Sequence, residues 1–124
     1  MLGTNDFQSM HPHNAWHAAQ GIAALVSAIR QAPIEPGMPV PPVLVATPPP
    51  IRAPRGPIAS KFVGGEEKCV SLAEAYREVA DSLDCAFFDA ATVTTSSKVD
   101  GVHLDADQHA TLGEAMAKAA GPLL

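Results

Sequence analysis

Apolar residues recur at intervals of three and four positions near the start of the chain. Between about Asn14 and Gln31 this spacing predicts an amphipathic helix, because such residues share one face of a helical surface. Asn14 is a candidate N-cap, since its side-chain oxygen can accept from the free N–H groups of the first turn. The predicted buried stripe consists of Ala15, Ala19, Ile22, Val26 and Ile29.

Two further stretches have helical spacing. One runs from about Glu66 to Leu83, with its acidic start near the positive end of the helix dipole. The other runs from about Ala106 to Ala120, with Asp105 as a candidate cap and Gly121 as a candidate terminator. The predicted inward face of the first of these helices consists of Val70, Ala73, Tyr76, Val79, Ala80 and Leu83.

Short, continuously apolar runs lie between the predicted helices. The segments 43–47 and 86–88 are typical of strands covered on both faces, as in a parallel sheet. Ten of the twelve prolines fall between Pro33 and Pro57, and this density excludes helix around the first strand. Helices that alternate with buried strands predict an α/β fold with a parallel sheet and helices on both faces.

The first residues, 1–6, are predicted to be the end of a buried strand that runs into a loop, because the apolar residues stop at a glycine and an asparagine. In doubly wound sheets, loops at the carboxyl ends of the strands build the functional site. Asn5 is therefore expected at such an edge.

Composition and charge exclude several classes of function. The 124 residues fit one small domain, and a net charge of -5 argues against a nucleic-acid partner, which requires clustered basic residues. The longest nearly apolar stretch, Ile22–Ile29, is too short to span a bilayer, and no basic segment precedes it, so neither membrane insertion nor export is expected. Cys69 and Cys85 are interpreted as buried free thiols in a reducing cytoplasm, with a bridge between them as the alternative.

Asp100 and His103 are the main candidates for acid–base chemistry. At this spacing on a loop, a carboxylate can hold an imidazole through Nδ1 and leave Nε2 free to take a proton from a hydroxyl. Such a pair by itself is more often a brace for the loop, and an asparagine in a turn usually supports its own backbone.

Taken together, these segments resemble a known family. Gly3-Thr4-Asn5-Asp6 is similar to the third conserved block of the SGNH (GDSL-type) serine hydrolases, and Asp100-Gly101-Val102-His103-Leu104 is similar to their fifth. The segments between them, 47–50, 64–66 and 87–90, are most similar to the arylesterase and acyltransferase branch. The resemblance covers nearly the whole chain, and two ordered motifs are more specific than either one alone.

The resemblance implies a role for each motif residue. Asn5 would donate its side-chain amide to the oxyanion of a tetrahedral intermediate, His103 would be the general base and acid, and Asp100 would orient the imidazole. The implied reaction is hydrolysis of small-molecule carboxylic esters, with acyl transfer as a related reaction. Neither a metal nor an organic cofactor is implied.

The family's fold is a flavodoxin-like three-layer α/β/α sandwich with a parallel sheet in the order 2-1-3-4-5. Its Gly-Asp-Ser block, which supplies the nucleophile, occurs nowhere in the sequence, and no serine is preceded by Gly-Asp. Residues 1–124 are thus expected to be the C-terminal portion of one SGNH domain, with the first two strands absent. By itself the chain is expected to be inactive.

A different class of function stays open beside this one. The missing strands would leave a sheet edge and apolar surface exposed, and such edges pair with other chains. The chain is then an inactive remnant that acts as a binding or interaction module, and a homo-oligomer is one form that such pairing would take.

The remaining polar clusters have alternative interpretations. His11, Pro12 and His13 are interpreted as part of a loop over the mouth of the site, and Trp16 as a helix-face anchor that buries its ring, with a ligand platform as the alternative. The loop 51–65 would line an acyl pocket or an oligomer interface, or be solvated; its basic residues are Arg52, Arg55 and Lys61. A metal site is the alternative for two clusters without a recognised ligand spacing, namely His11, His13 and His17, and His103, Asp105, Asp107 and His109.

Overall fold

The computed structural model describes residues 1–32 and 36–124, and Pro33, where the proline-rich segment begins, lies outside them. Helix α1 spans Ala15–Gln31, and the Asn14 side chain accepts a 3.2 Å hydrogen bond from the His17 N–H at its start. The cap and the boundaries predicted for this helix are confirmed. The other helices are α2, Gly65–Lys68, α3, Leu72–Ser82, and α4, Ala106–Ala120.

Two strands form a parallel pair. Strand β1 covers Leu44–Thr47 and strand β2 covers Ala86–Asp89, with Leu44 opposite Ala86 and Thr47 opposite Asp89. Helix α3 connects them and packs against both strands and against α1. A helical crossover is what parallel neighbours require, and the predicted α/β class is confirmed. Short 3-10 helices cover Thr4–Phe7, Gly56–Lys61, Ala90–Thr92 and Gly121–Leu123.

One apolar core joins these elements. Tyr76 on α3 and Phe7, the last residue of the first 3-10 helix, are its largest fully buried apolar side chains. Val102, between the two residues of the predicted acid–base pair, belongs to the same cluster. The core therefore extends to the turn that carries Asp100 and His103. Its other members are Ala15, Ala18, Ala19, Val26, Val45, Ile51, Phe62, Cys69, Leu72, Val79 and Ala80.

The helix predicted from Glu66 to Leu83 is wrong in one respect, because the structure divides it into α2 and α3. Ser71 adopts the left-handed conformation with φ 63°, which interrupts the helical path. Val70, before the break, is exposed and Leu72, after it, is buried, whereas Tyr76, Val79 and Ala80 are buried as predicted. The prediction placed Val70 on the inward face because it treated residues 66–83 as one continuous helix.

The strand predicted at the first residues is also wrong. Thr4–Phe7 is a 3-10 helix, and the Leu2 carbonyl accepts a hydrogen bond from the Tyr76 hydroxyl at 3.1 Å. A strand needs a neighbour with which to exchange backbone hydrogen bonds, and among the described residues β1 pairs only with β2.

Three side chains are more exposed than predicted. Trp16 is 61% exposed, because it lies off the stripe that Ala15, Ala18 and Ala19 form on α1, so its interpretation as a core anchor is wrong. Ile29 is exposed near the end of the same helix. Cys85 is half-buried, since it precedes β2, whose own residues are only half-buried.

The side of β1 that faces away from β2 borders an open apolar groove. Exposed Met1 and Leu2 line it together with Leu25 and Ile29 of α1 and residues 43–46. The sequence places the uncovered edge on the strand predicted at the first residues, but those residues form no strand, so the free edge is that of β1, whose partner among the described residues is β2. In the described parts of the chain, no helix combines the length and apolar character needed to cross a membrane.

Candidate active site

The segment Asp100–His103 forms a tight turn closed by its own carboxylate. One oxygen of Asp100, Oδ1, accepts from the backbone N–H groups of Val102 at 2.8 Å and His103 at 2.9 Å. The other, Oδ2, lies 2.6 Å from His103 Nδ1. The His103 side chain is 65% exposed, so its Nε2 is accessible to a reacting group.

The charge of Asp100 is stabilised by these contacts. Burial alone would raise the pKa of this carboxyl, but hydrogen bonds from the His103 ring and from the two backbone N–H groups lower its pKa to about 2. Asp100 is therefore ionised at neutral pH. An ionised carboxylate on Nδ1 favours the tautomer whose Nε2 can accept a proton.

A second segment, residues 52–55, supports the turn from behind, and we call it the strap. The Arg52 N–H donates to the Gly101 carbonyl at 2.9 Å, and the Arg55 N–H donates to the Asp100 carbonyl at 2.9 Å. Gly101 has φ 77°, and a Cβ added to it would overlap the carbonyl oxygen of Arg52. Only glycine fits both this backbone conformation and this close approach.

Polar contacts hold the strap in turn. The Ala53 N–H donates to Glu66 Oε1 at 2.7 Å, at the start of α2. The Arg55 guanidinium donates to the Lys98 carbonyl at 2.7 Å, just before the turn. Arg55 thus binds a backbone carbonyl where the sequence offers no obvious acidic partner. The acyl-pocket and interface interpretations of loop 51–65 stay predictions.

Asn5 and His103 line the same cavity, of about 300 Å³. Asn5 lies in the first 3-10 helix, and its Oδ1 accepts from Gln8 Nε2 at 3.2 Å, which leaves the side-chain NH₂ available as a donor. The cavity thus holds an amide donor and an imidazole base. Its other lining residues are Met1, Thr4, Pro48, Pro49, Val102, Leu104 and His109.

None of the serines in the described residues lines this cavity. Ser9 is engaged elsewhere, since its hydroxyl donates to the Ser60 carbonyl and accepts from the Val63 N–H. Ser96 and Ser97 are buried beside the turn. The site therefore has a candidate base and a candidate oxyanion donor, and no serine of the described residues lines the same cavity.

The histidine clusters do not have the geometry of a metal site. His11, His13 and His17 stack, with ring centroids 5.4 and 5.6 Å apart. Stacked rings do not direct their nitrogens at one point, as a metal would require. Across residues 1–32 and 36–124, no three histidine, cysteine or acidic side chains converge as a metal site.

Sequence reasoning missed the supports of the turn. It named Asp100, His103 and Asn5 from their motifs, but it did not identify the strap or Asp105 as supports of the turn. The Asp105 carboxylate binds the Ser97 hydroxyl at 2.7 Å and the Lys98 N–H at 3.1 Å. The available signal was Gly101, since a glycine inside a polar turn often marks a close backbone approach.

Comparisons with known proteins place the chain in a family and show which solved structures share its fold. The GDSL-like lipase/acylhydrolase family model matches residues 1–112. A comparison with curated proteins finds no match. Among solved structures, a carbohydrate acetylesterase from Sinorhizobium meliloti is 34% identical, with a TM-score of 0.91 over 100% of this chain and 59% of its own.

Two other solved structures are similar over nearly the same extent. The aryl esterase of M. smegmatis is 34% identical, with a TM-score of 0.92 over 100% of this chain and 59% of its own. A carbohydrate acetylesterase family member from Sinorhizobium meliloti is 36% identical, with a TM-score of 0.86 over 98% of this chain and 60% of its own. The chain thus spans about three fifths of the length of these structures.

Proposed function

The chain belongs to the GDSL-like lipase/acylhydrolase family, and we propose that it supplies the acid–base and oxyanion groups of an SGNH-type ester hydrolase. The nucleophilic serine would be contributed from outside these 124 residues. The observation that carries the proposal is the shared cavity of Asn5 and His103, since these two groups must face the same reacting carbonyl.

The proposed mechanism assigns one step to each group. His103 Nε2 takes the proton of the serine hydroxyl as the serine oxygen bonds to the ester carbonyl carbon. The Asn5 amide donates to the resulting oxyanion, while Asp100 stabilises the imidazolium. His103 then gives its proton to the leaving alcohol, and water releases the acid by the same route.

The substrate class proposed is a small-molecule carboxylic ester. A cavity of about 300 Å³ is at the small end of ligand sites, which supports a short acyl group. A second alcohol in place of water would complete acyl transfer through the same steps. No cofactor enters either reaction. The thiols of Cys69 and Cys85 are free, which supports a reducing cytoplasm as the compartment.

A fluorophosphonate probe, which labels activated serines, tests the proposal. The 124-residue chain is incubated alone and together with the N-terminal segment of a family member that carries Gly-Asp-Ser. We expect no label on the chain alone, label on the serine of the added segment, and hydrolysis of p-nitrophenyl acetate by the mixture. His103→Gln should abolish both label and hydrolysis.

Two results would overturn the proposal. Label on a serine of the chain alone would show that the nucleophile lies within it. A folded mixture, seen as one species by size-exclusion chromatography, that neither takes label nor hydrolyses ester would contradict a hydrolase function.

The second candidate is an inactive binding or interaction module. It is favoured by one observation, the apolar groove along the free side of β1. Under this function the chain binds a partner, or a second copy of itself as a homo-oligomer, through the sheet edge. It predicts stable association without label or ester hydrolysis in the experiment above.

A further inference from the structure

Ser97 makes five hydrogen bonds around the acid–base turn. Its hydroxyl donates to Asp105 Oδ1 at 2.7 Å and accepts from the N–H groups of Val99 at 3.0 Å and Asp100 at 3.3 Å. Its backbone N–H donates to the His103 carbonyl at 2.6 Å, and its carbonyl accepts from the Gly101 N–H at 2.9 Å. The residue is only 4% exposed, and the bonds of its hydroxyl are partly buried.

Asp105 connects this arrangement to helix α4. Its second oxygen, Oδ2, accepts from the Lys98 N–H, and its own N–H donates to Gln108 Oε1 at 2.7 Å. Gln108, on α4, also donates to the Ser96 carbonyl at 3.3 Å. The segment 96–105 is thus tied to a regular helix at both of its ends.

We propose that Ser97 is a positioning residue, whose hydroxyl, anchored by Asp105, fixes the backbone of Asp100 so that its carboxylate stays on His103 Nδ1. This role rests on the proposed function, because it deepens the acid–base assignment made above. It assigns no contact with substrate to Ser97.

The physical reason is the convergence of two backbone donors on one hydroxyl. Without it, the N–H groups of Val99 and Asp100 lose their shared acceptor, and Asp105 Oδ1 loses the hydroxyl that donates to it. Unpaired buried polar groups are costly, so the segment would rearrange to find water. Because the carboxylate and the Asp100 N–H belong to the same residue, that rearrangement moves the group that must meet His103.

The chain offers a matched control in the neighbouring residue. Ser96 is also buried, at 5% exposure, but within the described residues its hydroxyl has no hydrogen-bond partner. Ser96→Ala and Ser97→Ala therefore remove the same buried group from adjacent positions. They differ only in the hydrogen bonds that are lost.

The experiment is NMR of the 124-residue chain, isotopically labelled. The His103 Nδ1–H resonance, assigned by its loss in His103→Gln, should lie far downfield because of the short bond to Asp100. We expect Ser97→Ala to weaken or shift this resonance, Ser96→Ala to leave it unchanged, and Ser97→Thr, which keeps the hydroxyl, to retain it. Amide exchange at Val99 and Asp100 should accelerate roughly tenfold in Ser97→Ala alone.

Several outcomes would overturn the inference. One is a Ser97→Ala chain that loses stability but keeps the Nδ1–H resonance, since that result assigns Ser97 a structural role only. If Ser97→Ala does not fold, the unmodified chain still tests the inference. Unprotected amide hydrogen exchange at Val99 and Asp100 in that chain would contradict it. Neither the NMR resonance nor the amide exchange depends on ester hydrolysis. Failure of the ester-hydrolase proposal would therefore be seen separately, in the fluorophosphonate experiment.

Discussion

Gly101 is the point where the strap meets the acid–base turn, and its substitution tests that contact. In Gly101→Ala the positive φ of 77° costs about 1–2 kcal/mol for a residue with a side chain. The added Cβ also overlaps the Arg52 carbonyl oxygen and approaches the Ala53 carbonyl oxygen at 2.9 Å, so the strap must move. That movement breaks the bonds from Arg52 and Arg55 to the turn, at about 1 kcal/mol each.

The expected loss is therefore about 3–4 kcal/mol in the free energy of unfolding. Urea denaturation followed by circular dichroism measures it, as a midpoint lowered by roughly 2 M at an ordinary slope for a domain of this size. The slope itself should not change, because the surface exposed on unfolding is the same.

Gly56→Ala separates the two contributions to this loss. Gly56 has a comparable φ of 66°, but a Cβ there meets nothing within 4 Å, so only the backbone term of about 1–2 kcal/mol applies. The reasoning is refuted if Gly101→Ala destabilises the chain no more than Gly56→Ala, because the strap would then not contact the turn as described.

Three further predictions concern single side chains. The pKa of Asp100 is about 2 in the folded chain against an ordinary 3.8, so its carboxylate stabilises the fold above about pH 4, and this contribution disappears as pH falls toward 2. In Asp100→Asn, the free energy of unfolding measured in urea should therefore fall less steeply with decreasing pH. The same steepness in both chains would contradict the assignment. Tyr76→Phe should lower the free energy of unfolding by about 1 kcal/mol, because the buried hydroxyl binds the Leu2 carbonyl; a neutral substitution would show that this bond contributes nothing. Burial raises the pKa of the Cys69 thiol, so a thiol reagent should modify half-buried Cys85 first and Cys69 only on unfolding. Mass spectrometry of the modified peptides measures both rates. Equal rates would contradict the burial of Cys69.

Local signals in the sequence predicted most of the regular structure. Helix α1 was located to within one residue, because Asn14 marks its start and the apolar period continues to its end. The break at Ser71 could not be predicted in this way, since a non-glycine residue in the left-handed conformation carries no compositional mark. The exposure of Trp16 was missed for a related reason, because a large apolar ring says nothing about which helix face the core will need.

In the candidate site, too, contacts between residues close in sequence were predictable and contacts between distant residues were not. The pairing of Asp100 with His103 is a contact over three residues, so spacing alone was sufficient to predict its geometry. The strap contacts join residues nearly fifty positions apart, and no sequence pattern specifies which loop will cover a turn. The joint placement of Asn5 and His103 is likewise a long-range result, which the resemblance implied and the common cavity supports.

The two halves of the candidate site depend differently on the rest of the fold. The acid–base turn is held by the strap on one side and by Asp105, the N-cap of α4, on the other. Asn5 instead also lines a larger groove of about 550 Å³, which adjoins the groove beside β1 at exposed Met1 and Leu2. Whatever covers that groove will therefore contact the oxyanion side first, so completing the site should alter the environment of Asn5 and leave the Asp100–His103 pair as it is.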